Sequence, residues 1–180
     1  MSLLSYSLLV DLVRDGVIDS PIENINGASM DITLDSSIMI ESSSNCMPVN
    51  LKSKGSPSMI VTHMPELGYQ LEPGEFILAS SRETFNLPNN IACEYKLKSS
   101  LARSGLQHLL AGWCDPGWKN SKLTLELKNV TSNHPLIISP GMKIGQMVFF
   151  TCDPVPDEHS YTNKGQYNNQ DSVTKNKGLR

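Results

Sequence analysis

The stretch LTLELKN, residues 123–129, sets a carboxylate in the middle of an apolar strand pattern. Leu123, Leu125 and Leu127 share one face; Thr124, Glu126 and Lys128 share the other. Alternation alone sends Glu126 to solvent, as in any half-buried strand. In a shielded pocket the same carboxylate could take up and return protons near neutral pH, because burial raises its pKa. A second cluster, KSSLAR, gathers Lys98, Ser99, Ser100 and Arg103. Two cations, two hydroxyls and loop amides could cradle phosphates. Equally, Ser99 or Ser100 could cap a short helix that ends in a solvated Arg103. The third cluster is AGWCDPGW. Asp115 can make the Asp-Pro-Gly turn or accept a hydrogen bond from a sugar hydroxyl, and Trp113 and Trp118 can be core residues or walls of a base pocket.

Several chemistries have no signature. There is no H-x-E with a P-C-x-x-C partner, no Walker A loop, no G-x-G-x-x-G and no H-E-x-x-H. His63, His108, His134 and His159 lack partners at metal spacing and read as ordinary surface or core histidines. Cys46, Cys93, Cys114 and Cys152 are too widely spaced for a metal knuckle or a compact disulfide framework. Four reduced thiols in a cytoplasmic protein are expected.

The elements that must position these clusters are mostly strands. After an amphipathic helix over residues 5–14, with Leu8, Leu9, Leu12 and Val13 as its stripe and Gly16 at its end, ASMDITLD alternates as a strand. Residues 41–58 are rich in Ser and turn formers and read as a loop crossed by one short strand. From residue 59 onward, MIVTHM, GYQL, EFILAS, IACEYKLK, LTLEL, PLIIS and KIGQMVFF follow at close intervals, which predicts an all-β sandwich or barrel. KSSLARSGLQHLL can hold one or two helical turns. Residues 153–180 are polar, and by composition alone they read as a disordered tail.

With 180 residues, 39% apolar and 18% charged, the chain fits one globular domain. A formal charge of −3 argues against general nucleic-acid binding but leaves room for a small polyanion at a local basic cluster. No apolar run reaches the ~18 residues of a membrane span. The opening MSLLSYSLLVDLVRDG has no basic n-region or cleavage site, so neither membrane nor secretory signal is expected.

Taken in order, these pieces resemble the dCTP deaminase family within the trimeric dUTPase-like superfamily. INGASMDITLD is similar to its first motif, KSSLARSGL to its phosphate loop, AGWCDPGW with LTLEL to its third motif and catalytic strand, and PGMKIGQMVFF to its fourth. SYTNKGQYNNQDSV is similar to the C-terminal segment that closes over nucleotide. The likeness runs over nearly the whole chain and is weakest at residues 41–70.

The resemblance implies a distorted β-barrel or jelly-roll of the dUTPase-like type, with a short N-terminal helix and one short internal helix. Residues 1–152 would form the β domain and residues 153–180 the lid. It implies a homotrimer with sites between subunits, and zinc-free hydrolysis of dCTP to dUTP and ammonia, with Mg²⁺ on the triphosphate and no metal held by the protein. By position, Glu126 would be the general base. Ser99 and the carbonyl of Ala111 would orient the water, and Arg103 would hold Glu126 and the base. Lys98 and Ser100 would contact phosphates, Asp115 the sugar, and the backbone at Thr124 the pyrimidine edge. Gln146, Tyr161, Tyr167 and Gln170 would complete the contacts. Lys98 stands where the family has Arg, Gln166 and Ser172 also depart from the pattern, and one extra residue falls near Lys119, Asn120 and Ser121. AGW before the turn is similar to the branch that also cleaves dUTP to dUMP, an alternative kept beside a non-catalytic nucleotide-binding regulator and a 5-substituted cytosine substrate.

Overall fold

Strict alternation builds the strand that carries Glu126. Ser121, Leu123, Leu125, Leu127 and Asn129 are buried, and Lys122, Thr124, Glu126 and Lys128 are half-buried. The structure is a computed structural model that describes residues 2–178 except 45 and 54. Two positions of the expected Ser-rich loop, and residues 179 and 180 of the expected lid, therefore lie outside the described residues.

In chain order the elements are β1 (Ser2–Leu3), α1 (Tyr6–Arg14), β2 (Ile18–Asp19), β3 (Met30–Glu41), β4 (Met59–His63), β5 (Tyr69–Leu71), β6 (Phe76–Phe85) and β7 (Ile91–Leu97). Then follow α2 (Ser99–Arg103), β8 (Leu106–Gln107), β9 (Trp113–Cys114), β10 (Ser121–Asn129), β11 (Leu136–Ile138), β12 (Lys143–Thr151) and α3 (Tyr161–Lys164). The main sheet runs β8-β10-β6-β3-β12-β7-β9, with β1 on β12, β2 on β6 and β4 on β3. β11 and β5 form a separate pair. The fold is mainly β, and the long sheet curls as a half-barrel.

β3 joins the two halves of the sheet. Its first residues, Met30 to Thr33, pair with β12, and its later ones pair with β6 and β4. A register break between Leu34 and Ile38 lets the strand bend between these partners. Inside the curl, Phe85 stacks on Trp118 at 5.3 Å and meets Phe149 at 6.5 Å, among Ile18, Met30 and Ile32.

Three local expectations need correction. The buried face of α1 is centred on Leu9 and Val10, and Leu8 is half exposed. The helix begins at Tyr6, and the next turn packs Leu12 and Val13 on the core, which leaves Leu8 on the outer side. Second, no strand crosses the described residues of 42–58; a single 3₁₀ turn, Leu51–Ser53, stands there. Pro48 and Pro57 cannot donate to a ladder, and no alternating apolar pattern compensates. Third, a short helix, α3, lies in the tail as well. Gly16 has φ +71° just beyond α1, where its amide bonds to the carbonyl of Val13.

Gly145 on β12 makes room for the buried ring of Tyr95, since a Cβ there would lie 2.2 Å from that ring. Gly145→Ala is expected to destabilise the fold by about 1–3 kcal/mol through overpacking. Urea denaturation checks this, and an unchanged midpoint would mean that the Tyr95 ring has another place to go.

Candidate active site

β10 turns its polar face inward, into a cavity of about 530 Å³. Glu126 and Thr124 line it from the strand, with Ala111 and the two tryptophans Trp113 and Trp118 at one side. Phe76 and Leu78 of β6 continue the floor, because Leu78 is the cross-strand partner of Glu126 and Phe76 that of Lys128. Burial pushes the Glu126 carboxyl up from its ordinary 4.5 to about 7, with a smaller opposing effect from a backbone hydrogen bond. This carboxyl can change protonation at neutral pH, as an acid–base group needs.

The roof is the C-terminal tail. The Trp118 indole donates to the carbonyl of Tyr167 at 2.8 Å, and the Lys122 amide donates to the carbonyl of Gln170 at 2.8 Å. The Thr174 amide donates to the Thr124 hydroxyl at 3.1 Å, and Val173 is buried. Tyr161, Tyr167 and Gln170 thereby line the same cavity as Glu126. Gln170 is 6% exposed, and its Oε1 has no hydrogen-bond partner among the described residues. Asp115 accepts from the Trp113 indole at 2.9 Å and lines an adjoining cleft of about 370 Å³, which shares Tyr161 and Tyr167 with the cavity.

The turn before β10 has a left-handed residue, and a register shift follows it. Asn120 has φ +48°, and the β10–β6 register shifts between Lys122 and Thr124. Three β6 residues, Ser81, Arg82 and Glu83, stand opposite the single β10 residue Leu123 there, whose amide bonds to the Ser81 hydroxyl, while the Lys122 amide bonds to the carbonyl of Gln170. The shift ends before Glu126, so the carboxylate keeps its place on the cavity face.

Besides Asp115, five residues expected at the site do not line this cavity. Ser99, Ser100 and Arg103 are exposed on α2, and neither serine caps the helix, because its N-cap is Lys98. Lys98 is ion-paired with Asp31 at 2.8 Å, and Asp31 also takes Lys143 at 3.0 Å and the Asn26 amide at 2.9 Å. Burial would raise the Asp31 pKa, but these three donors outweigh it and hold the carboxyl below its usual range. Gln146 accepts a hydrogen bond from Ser29 at 3.3 Å beside this cluster. Leu78, Phe76, Met59 and Pro57 line the cavity without having been singled out in the sequence. The only signal for Phe76 and Leu78 was the alternation of EFILAS, which gives a face but not a neighbour. Among the described residues no three His, Cys, Asp or Glu side chains converge as a metal site.

Comparison with known proteins sets the class first. The solved 2'-deoxycytidine 5'-triphosphate deaminase from Agrobacterium tumefaciens has the same fold, with a TM-score of 0.64 at 18% identity over 82% of this chain and 47% of that one. A curated relative from Mycobacterium sp. (strain KMS), named dCTP deaminase, dUMP-forming, is 36% identical over 84% of this chain and 80% of its own length. Another of that name, from Beutenbergia cavernae, is 46% identical over 54% of this chain and 50% of its own length. The chain thus spans about half the length of the Agrobacterium structure and of the Beutenbergia relative. The sequence model described as dCTP deaminase-like matches residues 3–152. The chain belongs to the dCTP deaminase-like family, a family of enzymes.

A raised carboxyl pKa has a stability consequence of definite sign. Glu126 gives up its proton less readily folded than unfolded, so its contribution is fully present below about 4.5 and is lost as pH rises through about 7. Glu126→Gln removes that loss. The variant is expected to melt about 3 °C above the parent near pH 8 and no higher near pH 4. Melting curves across this range check it, and a constant difference at every pH would place Glu126 in water.

Proposed function

We propose that the protein is a bifunctional dCTP deaminase and dUTP diphosphatase, which converts dCTP and two waters into dUMP, ammonia and diphosphate. The observation that carries this reading is the half-buried Glu126 carboxyl, with a pKa of about 7, facing a nucleotide-sized cavity. The curated relatives named dUMP-forming favour this over release of dUTP as the end product.

In the deamination step, ionised Glu126 takes a proton from a water that attacks C4 of cytosine. It hands that proton to N3 as C4–O forms, then takes the hydroxyl proton of the C4 adduct and passes it to the amine, so that C4–N breaks, ammonia leaves and C4=O remains. The carbonyl of Ala111 holds the water. The orphaned Oε1 of Gln170 is an acceptor suited to a base N–H, since a buried acceptor without a partner is costly until a ligand fills it. Asp115, in the adjoining cleft, takes the sugar hydroxyl, with Tyr161 and Tyr167 between the two compartments. Mg²⁺ arrives on the triphosphate as part of the substrate.

The site is completed between copies of the chain. Ser99, Ser100 and Arg103 are exposed on α2 and do not line their own chain's cavity, which supports their serving a neighbour's in a homotrimer. There Ser99 and Arg103 act on the water and on Glu126, and Ser100 on phosphate. Lys98 and Gln146 reach phosphate only by sharing their bonds to Asp31 and Ser29. The tail, residues 153–180, is a lid: its hydrogen bonds to β10 run from tail backbone groups to the Ser121 and Thr124 hydroxyls and the Lys122 amide, and can open and re-form.

Anion-exchange analysis of products from dCTP with Mg²⁺ is expected to show dUMP and diphosphate. Accumulation of dUTP alone would reduce the enzyme to a plain deaminase. Glu126→Gln is expected to lower deamination at least about 10³-fold while still binding nucleotide, and retained turnover would remove Glu126 as the base. In the parent, kcat/KM should fall about tenfold per pH unit below about 7 as Glu126 becomes protonated. Deleting residues 161–180 is expected to raise KM about tenfold or more, and kinetics identical to those of the full chain would exclude the lid.

A further inference from the structure

The cavity continues past Glu126. Beyond the carboxylate its lining includes Leu78 and Phe76 on β6, Met59 on β4 and Pro57 just before it. None of these four side chains offers a strong hydrogen-bonding group, so a polar ring edge gains nothing there and a small alkyl group does. We propose that this recess receives a substituent on C5 of the pyrimidine. The substrates then include 5-alkylated cytosine deoxynucleotides, first of all 5-methyl-dCTP. The inference rests on the reading of the cavity as a cytosine-nucleotide site.

Ring chemistry sets the direction. Water adds at C4, so C4 faces Glu126, with N3 and C5 on either side of it. N3 must receive a proton and belongs on the polar side, towards Thr124 and Gln170. C5 then points the other way along β10, towards the Glu126–Leu78 and Lys128–Phe76 pairs. A hydrogen at C5 leaves that apolar surface to water; a methyl group covers it. The methyl group takes no part in the reaction: C4–N breaks, C4–O forms, ammonia leaves, and the product is a thymidine nucleotide.

The test compares kcat/KM for dCTP and 5-methyl-dCTP by ammonia release, in the parent and in Leu78→Phe, which fills the recess. The parent is expected to use both within about threefold, and Leu78→Phe to lower the 5-methyl-dCTP to dCTP ratio roughly tenfold or more, the scale of one methyl in an apolar pocket. Rejection of 5-methyl-dCTP by more than about tenfold in the parent, or an unchanged ratio in Leu78→Phe, overturns the proposal. Met59→Phe, on the half-exposed lip, gives the same reading should Leu78→Phe fail to fold. If neither nucleotide is deaminated, the enzymatic reading fails on its own. Calorimetric binding of the two nucleotides to the parent then decides the recess: 5-methyl-dCTP binding as tightly as dCTP upholds it, and tenfold weaker binding overturns it.

Discussion

The pairing of β10 with β6 is the constraint on which the site depends. Leu123, Leu125 and Leu127 must leave water, and burying them in the curl of the sheet turns Thr124, Glu126 and Lys128 to the opposite face. An isolated two-stranded ribbon would leave that face wet. Here the tail bonds to Trp118, Lys122 and Thr124 and lies over it, so the carboxylate has walls on several sides. The raised pKa of Glu126 follows from this cover, since loss of water disfavours the charged form and no cation among the described residues is ion-paired with it.

Two carboxylates, on β3 and β10 with β6 between them, show how environment separates their roles. Asp31 on β3 is more deeply buried than Glu126, yet three donors hold it ionised. It behaves as a fixed anion that orders Lys98 and Lys143 at one end of the sheet. Glu126 has burial without a counter-charge and so stays able to exchange its proton. Lysine at position 98 suits this arrangement: a compact ammonium meets one carboxylate oxygen, where a guanidinium fork would seek two acceptors.

The tail changes meaning with its surroundings. Its composition is that of a chain that buries too little apolar surface to order itself. It needs little of its own, because Trp118, Ser121 and the bulge at Lys122 present ready donors and acceptors, and the buried Val173 adds an apolar anchor.

The sequence by itself determined the strands, their faces and the order of the motifs. Period-two alternation is a local property, so the half-buried face of LTLELKN and the one-turn helix after Lys98 were legible. So was Gly16, since a left-handed residue after a helix is a local demand. Local reading failed where the partner decides: Leu8 turned outward, and the Ser-rich stretch kept a 3₁₀ turn in place of a strand. The surroundings of Glu126 were decided by tertiary structure alone. Whether a polar strand face meets water or a wall depends on Trp118 from the preceding turn and on Leu78 from β6 and Tyr167 from the tail, the latter two remote in sequence. The ion pair that occupies Lys98 depends in the same way on β3 and β7 meeting across β12. A residue's type and spacing fix what it can do; its dielectric and its partners, and hence its pKa, exist only once distant segments are packed around it.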